Sequence, residues 1–244
     1  MSLVRTYFDR LRSLVERIET SQAEPIARAA EAVSTAMSEG RCIHVYDTGH
    51  MLDSELINRA GGFAAFHALR VRFEVDDAVR DRPELAAKDR SLEGLAEFAL
   101  RASKALPGDV LIIGSVSGKS ALPVDLALAA RRMGLYVIAM TSVTYSSMLK
   151  SDHSSGKRLF EAADLVLDNC APPLDAMVEA PGLEAAICPA SGIAAAAIMW
   201  AVTAQATENL LALGKPPSVL KSINYPGSDA FNQTMYRRYA ETSL

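Results

Sequence analysis

The residues best suited to chemistry lie in a short turn, GSVSGKS, that follows the apolar run DVLII. A nucleotide-binding P-loop needs four residues between its glycines, but only three separate Gly114 from Gly118, which argues against a nucleotide site. The first turn of a helix nevertheless offers free N–H groups and a positive dipole end to a single phosphate. From these residues alone, an anion site formed by Ser115, Ser117, Gly118 and Ser120 and an ordinary serine helix cap are both open.

The elements that must position this turn alternate between strands and helices. The patterning predicts strands over 42–47, 63–69, 109–115, 136–142 and 164–170. It predicts a first helix over 3–20 and a second that begins at a Ser21/Glu24 capping box, has Pro25 in its first turn and ends at Gly40. A third helix follows the first strand, and further helices are predicted over 91–105, 120–133, 190–213 and 229–240. Residues 70–90 and 143–157 are predicted to be loops. Such alternation predicts an α/β fold with a parallel sheet between two helical layers. Ligands of such sheets bind beyond the carboxyl ends of the strands, here residues 47–51, 115–120, 141–145 and 169–175.

Composition narrows the classes of protein further. The chain has 244 residues, a net charge of −4 and a pI near 5.6, which disfavours a nucleic-acid-binding protein. Three cysteines without a CxxC pair and a charged N-terminal segment predict a cytoplasmic protein. Residues 185–207 carry no charge, but their alanine-rich composition favours a buried or interface helix over a membrane span. That helix predicts a homodimer or larger homo-oligomer.

Several longer stretches resemble the sugar isomerase (SIS) domain family. These are the S-x-S-G-x-S turn, the helix ALPVDLALAARRMG, the strand LYVIAMTS and the segment DHSSGKRLFEAADLVLDNCAPPLDA. Over its length the chain resembles a single-domain bacterial subgroup of phosphosugar-binding proteins. The resemblance implies a five-stranded, flavodoxin-like parallel sheet and one domain, with leading helices over 1–40, an α/β core over 41–213 and a tail over 214–244. It also implies that Ser115, Ser117, Gly118 and Ser120 hold a sugar phosphate.

The turn after the first strand departs from the family pattern. SIS domains usually have Gly-x-Gly-x-Ser there, whereas this chain has Asp47-Thr48-Gly49-His50-Met51. An aspartate would repel a phosphate dianion unless it faces a sugar hydroxyl. The departure therefore leaves open an unphosphorylated or differently charged ligand, with Thr48 expected in contact with it.

The candidate acid/base residues are Glu55, His50 and His153. The resemblance places Glu55 where SIS isomerases often carry the enolising base; the alternative is a solvated helix glutamate. His50 and His153 lie in turns at strand ends and suit acid/base work, the alternatives being a helix cap and a loop-stabilising hydrogen bond. His44 and His67, in apolar strands, are expected to be structural, and Lys119 is not expected to touch the ligand.

Further polar residues at strand ends and on the long helix are candidates for contact with a sugar. Thr141, Ser142 and Asn169 are expected to contact it directly. Roles near the site are open for Asp175, Gln205, Glu208, Asn224 and Asp229, for which turn formation is the alternative.

The function expected from the resemblance is an aldose–ketose sugar-phosphate isomerase that acts through an enediolate. Proton transfer of this kind needs no redox cofactor or metal, and the histidines lack metal-ligand spacing. A non-catalytic phosphosugar sensor, or a phosphosugar lyase, etherase or deacylase, is the alternative, because a fold does not fix a reaction. A DNA-binding regulator is disfavoured, because the residues before the sheet lack a basic recognition helix.

Overall fold

The computed structural model describes residues 2–49, 51–74, 76, 79–80, 82 and 93–244. The helices are α1 (Leu3–Ser21), α2 (Ala23–Ser38), α3 (Asp53–Leu56), α4 (Leu95–Ala102), α5 (Ala121–Arg132), α6 (Val143–Ser147), α7 (Leu159–Ala162), α8 (Ser191–Ala212) and α9 (Ser228–Thr242). The strands are β1 (Ile43–Asp47), β2 (Phe66–Ala68), β3 (Val110–Gly114), β4 (Tyr136–Thr141), β5 (Leu165–Asp168), β6 (Ala176–Val178) and β7 (Ile187–Pro189).

Five parallel strands form the central sheet in the order β2-β1-β3-β4-β5. Val45 of β1 lies beside Ile112 of β3, which in turn lies beside Ile138 of β4. This is the flavodoxin-like strand order, and it confirms the predicted α/β fold with a five-stranded parallel sheet.

The core lies on both faces of the sheet because successive side chains of a strand point to opposite faces. Val110 and Ile112 of β3 pack into one cluster with residues of α1, α2 and α8. Leu111 and Ile113 pack into a second cluster with α4, α5 and α7. All four side chains are buried, and burial of each contributes about 1.5–3 kcal/mol to stability. The result is the three-layer arrangement that the sequence predicts.

The junction between the two leading helices differs from the prediction. Ser21 is the last residue of α1 and does not cap α2; Gln22 takes the position before α2 and makes no side-chain cap bond there. Instead, the Gln22 side-chain oxygen accepts a hydrogen bond from the backbone N–H of Asp168, at 2.9 Å. The predicted capping box is therefore wrong, because the side chain at this junction binds the end of β5.

Other boundaries differ where the elements are short. Residues 143–147 form α6 and do not belong to a loop, and the antiparallel β6–β7 pair was not predicted. Three-residue strands carry too little periodicity to reveal themselves in sequence. The helix after β1 ends early, because Asn58 adopts a left-handed φ of 55°. The described part of 70–90 has no regular structure, whereas residues 91 and 92 of the predicted helix lie outside the described residues.

α8 is buried along one side by small and apolar residues, including Ala194, Ile198 and Val202. None of the helices in the described residues combines the length and the apolar character that a bilayer crossing requires.

Candidate functional site

A crevice of about 480 Å³ lies between the carboxyl end of β1, the segment after β2 and the start of α5, the helix that follows β3. In this strand order, the chain leaves β1 toward one edge of the sheet and β3 toward the other, and ligands of such folds bind where the order reverses. We call this cavity the β1–β3 crevice. Its polar lining includes Asp47, Thr48, Asp53, Arg70, Arg72 and Ser120.

The wall on the β3 side is the start of α5. Ser120 precedes the helix in an extended conformation, and its hydroxyl makes no cap bond to the first turn. The hydroxyls of Ser115 and Ser117 likewise have no hydrogen-bond partner among the described residues. Ser115 is buried, Ser117 half-buried and Ser120 exposed. The alternative of an ordinary serine cap therefore does not account for Ser120, and three hydroxyls remain unused beside free helix N–H groups.

Gly118 fixes the shape of this turn. Its φ is +56°, and a Cβ built there would lie 3.0 Å from the hydroxyl oxygens of both Ser146 and Thr141. The Gly118 carbonyl also accepts a hydrogen bond from the N–H of Leu159, at 2.8 Å. The position thus requires glycine both for its left-handed backbone and for lack of space.

The lysine that gives the turn its P-loop appearance is engaged elsewhere. The Lys119 Nζ donates to a carboxylate oxygen of Asp152 at 2.7 Å, and the Asp152 N–H returns a hydrogen bond to the Lys119 carbonyl at 2.9 Å. This pair ties the turn to the loop after α6, as expected for a lysine that does not touch the ligand.

Thr141, Ser142 and Asn169, which were expected to contact a ligand, are fully buried in the structure. The Thr141 hydroxyl donates to the Val116 carbonyl at 3.0 Å, and the Ser142 hydroxyl donates to the Ala171 carbonyl at 2.7 Å. The Asn169 side-chain oxygen accepts from the N–H of Ala171. We call residues 115–120 the serine turn. The side chains of Thr141, Ser142 and Asn169 pack behind this turn and present no surface to the crevice.

Asp47 closes the turn after β1 with its own carboxylate. One oxygen accepts from the N–H groups of Met51 and Leu52, at 2.6 and 2.7 Å, and the other from that of Gly49, at 3.2 Å. The carboxylate therefore occupies the donors that an anionic ligand would otherwise use at this turn. Met51, in the position of the usual serine, is buried.

Thr48 lines the β1–β3 crevice, while its hydroxyl donates to the Gly114 carbonyl at 3.3 Å. His50, the neighbouring acid/base candidate, lies outside the described residues.

Glu55 lies on α3 but faces away from the serine turn. Its carboxylate is 3.1 Å from a guanidinium nitrogen of Arg59, four residues later in the chain. It lines a different cavity of about 660 Å³ with Tyr7, Cys188 and Gly192, which we call the α3–α8 groove. The structure therefore does not bring Glu55 together with Ser120.

His153 also lies apart from the β1–β3 crevice, and only 8% of its side chain is exposed. Its Nδ1 accepts from the N–H of Ser155 at 3.0 Å, and its Nε2 is 3.8 Å from a carboxylate oxygen of Asp125 and of Glu93. Asp125 in turn accepts from the N–H of Gly94 before α4. In this arrangement the His153 side chain holds its loop against α4 and α5, and its catalytic role stays a prediction.

The remaining polar candidates lie outside the crevice lining. Asp175 accepts from the N–H groups of Ala190 and Ser191 at the start of α8, at 3.1 and 2.7 Å. The Gln205 amide donates to Glu208 and Asn209 on its own helix. Asn224 and Asp229 are solvent-exposed. Within the described residues, no group of three or more His, Cys, Asp or Glu side chains is placed to hold a metal ion.

Sequence reasoning missed Asp53, Arg70 and Arg72. One carboxylate oxygen of Asp53, Oδ1, is buried and has no hydrogen-bond partner in the described residues, while Oδ2 is 3.6 Å from the Arg70 Nε. Burial raises the pKa of Asp53, Arg70 partly offsets that rise, and Asp47 adds to it. Their positions in the sequence could have identified them, because ligands bind near the carboxyl ends of parallel strands. Arg70 and Arg72 follow β2, and Asp53 starts the helix after β1.

Comparisons with known proteins agree with the resemblance. Residues 6–142 match the SIS domain family. A UPF0309 protein of Shouchella clausii is 34% identical over 98% of this chain and 97% of its own length, and one of Streptomyces griseus is 36% identical over 98% and 96%. A solved phosphoheptose isomerase from Francisella tularensis is similar in fold, with a TM-score of 0.49, 17% identity and coverage of 83% of this chain and 94% of that chain. Since the family match spans more than half of the sequence, the chain belongs to the SIS domain family.

Proposed function

We propose that the protein binds a sugar phosphate in the β1–β3 crevice, with the phosphate at the start of α5, and that it interconverts aldose and ketose forms of that sugar. The observation that carries the proposal is the set of three serine hydroxyls, in Ser115, Ser117 and Ser120, that have no partner among the described residues. Buried or half-buried hydroxyls such as those of Ser115 and Ser117 are usually hydrogen-bonded in proteins, so unused ones beside a helix start suit a ligand rich in acceptors.

The charges around the crevice support an anionic ligand of limited size. α5 directs the positive end of its dipole at the serine turn, and Arg70 and Arg72 line the opposite side. Hydrogen bonds to an ionised phosphate contribute about 1.5–3 kcal/mol each. A volume of about 480 Å³ is within the range of small-molecule sites.

Isomerisation fits a site that offers hydrogen-bond donors and a carboxylate. The reaction removes a proton beside the sugar carbonyl, passes through an enediolate and returns the proton to the neighbouring carbon. Donors aimed at the enediolate oxygens lower the barrier because they stabilise charge that develops in the transition state. Asp47 and Asp53 lie on the crevice wall beside Thr48, where the sugar would extend from the phosphate.

The experiment is a panel of aldose and ketose phosphates incubated with the protein in heavy water. Deuterium entering at the carbon beside the carbonyl supports isomerisation, and a rise in melting temperature measures binding. Binding without deuterium exchange would contradict the isomerase function and favour a sensor or another phosphosugar reaction. The binding proposal fails when neither sugar phosphates nor inorganic phosphate shift the melting temperature.

The serine turn has a matched control. Ser117→Ala and Ser120→Ala each remove one expected phosphate contact, so each should weaken sugar-phosphate affinity about 10-fold or more. Ser147→Ala removes an exposed hydroxyl on α6, away from the crevice lining, and should leave the affinity unchanged. Equal affinities of all three variants would place the phosphate elsewhere.

A further inference from the structure

Asp53, whose side chain is about one-third exposed, differs from other aspartates near strand and helix ends in what its buried oxygen does. In the described residues, carboxylates near the strand and helix ends accept hydrogen bonds from backbone N–H groups, as shown by Asp47, Asp109, Asp125, Asp168 and Asp175. The Oδ1 of Asp53 is hidden from solvent but has no hydrogen-bond partner in the described residues. A buried polar atom without a partner costs stability and calls for a reason.

The surroundings of Asp53 place this unsatisfied group inside the proposed site. Asp53 lines the same crevice as Ser120 and Thr48. The charged side chains that face it there are Asp47 at the end of β1 and Arg70 and Arg72 after β2. Arg70 approaches only Oδ2, at 3.6 Å, which is too long for a strong hydrogen bond.

We propose that Asp53 is the catalytic residue that moves the proton between the two sugar carbons, an inference that rests on the proposed isomerase function. In the forward step, the carboxylate of Asp53 takes the proton from the carbon beside the carbonyl. The electron pair of the broken C–H bond forms the enediolate C=C bond, and the carbonyl π pair moves to oxygen. Asp53 then returns the proton to the former carbonyl carbon, and solvent exchanges the proton between the two oxygens.

The electrostatics of the crevice suit this task better at Asp53 than at Glu55. A proton-transfer group works best when its pKa lies near the working pH, and burial raises the pKa of Asp53 in that direction. Glu55 is instead paired with Arg59 at 3.1 Å and lines the α3–α8 groove. The two carboxylates on one short helix therefore line different cavities, and of the two only Asp53 shares its cavity with Ser120.

The test compares Asp53→Asn with the wild type in the heavy-water exchange assay. Asp53→Asn should lower exchange at least about 100-fold. It should keep the melting-temperature rise caused by the sugar phosphate, since the serine turn is intact. Its melting temperature without ligand should equal or exceed that of the wild type, because a neutral amide replaces a carboxylate with one buried, unpartnered oxygen. Asp9→Asn, at an exposed aspartate of α1 that pairs with Arg12, is the control and should exchange at the wild-type rate.

Two further outcomes separate this inference from the proposed function. When the wild type exchanges deuterium and Asp53→Asn keeps at least a third of that rate, Asp53 is not the proton carrier although the isomerase function stands. When the wild type binds sugar phosphates but exchanges none of them, the isomerase function fails and the role of Asp53 fails with it. Should Asp53→Asn not fold, Asp53→Glu decides: a displaced acid limb of its pH–rate profile is expected, and an unchanged limb overturns the assignment.

Discussion

Replacement of Gly118 by alanine tests whether the serine turn is shaped by both backbone conformation and space. The left-handed φ of +56° costs a non-glycine residue about 1–2 kcal/mol. The new methyl group would also lie 3.0 Å from the Ser146 and Thr141 hydroxyl oxygens and 3.2 Å from the Leu159 Cβ, and overpacking of this kind typically costs about 1–3 kcal/mol. Together these effects predict a loss of about 2–5 kcal/mol, or about 4–20 °C in melting temperature for a chain of this size.

Gly156→Ala is the matched control for Gly118→Ala. Gly156 also has a left-handed φ, of +70°, but a Cβ there would have no neighbour within 4 Å. Gly156→Ala should therefore lose only the stability that the left-handed backbone costs a non-glycine residue, about 1–2 kcal/mol. Urea denaturation followed by circular dichroism measures both losses, and sugar-phosphate affinity should fall at least 10-fold only in Gly118→Ala. Equal losses of stability in the two variants would refute the claim that the turn is tightly packed.

A double-mutant cycle identifies the neighbour responsible. Ser146 has a buried hydroxyl without a hydrogen-bond partner in the described residues, so Ser146→Ala alone should cost little. Because it also removes one of the close contacts, it should restore about 1 kcal/mol in the Gly118→Ala background. Strict additivity of the two substitutions would show that Ser146 does not limit the space at Gly118.

Three other perturbations follow from the contacts. Asp175→Ala removes the carboxylate that accepts from the first N–H groups of α8, so it should lower the free energy of unfolding by about 2–3 kcal/mol in urea denaturation. Asp175→Asn should lower it less, and equal losses in the two variants would show that the charge has no role. Lys119→Met breaks the exposed ion pair with Asp152, so it should lower the free energy of unfolding by less than about 1 kcal/mol and leave phosphate affinity unchanged. A loss of phosphate affinity would indicate that Lys119 contacts the phosphate, as the lysine of a P-loop does. Partial desolvation, together with the nearby His44, lowers the pKa of His67, although part of its side chain is solvent-exposed. Its contribution to stability is therefore present above pH about 6.5 and is lost as the pH falls through the lowered pKa, so His67→Gln should lose less stability than the wild type between pH 7.5 and 5.

The sequence alone was sufficient to predict the sheet, because its central strands are continuous apolar runs. Leu111, Ile112 and Ile113 are all buried, as strands covered on both faces require. The serine turn was also predictable, since its residues are adjacent in sequence and stand between a strand and a helix. Short elements without a repeating pattern, such as the β6–β7 pair, gave no comparable signal.

The side-chain roles were less predictable because they depend on partners far away in the chain. Thr141, Ser142 and Asn169 stand at strand ends, as site residues often do, but their polar groups bind backbone atoms beneath the turn. His153 has the residue type of a catalytic group, but it faces Asp125, which is 28 positions earlier in the sequence. Residue type and strand-end position predict the neighbourhood of a site, whereas the direction of each side chain follows from packing.

Asp47 shows how a residue that looks unfavourable for phosphate binding can be accommodated. Three backbone N–H groups already donate to its carboxylate, so its negative charge is partly compensated within the turn after β1. Arg70 and Arg72 add two positive charges to the same crevice. We therefore expect the anion to bind at the start of α5, where the Ser120 hydroxyl has no cap bond, and the sugar hydroxyls to face the carboxylates on the β1 side. This division of the crevice into a donor wall and an acceptor wall suits a ligand with a phosphate at one end and hydroxyl groups along the rest.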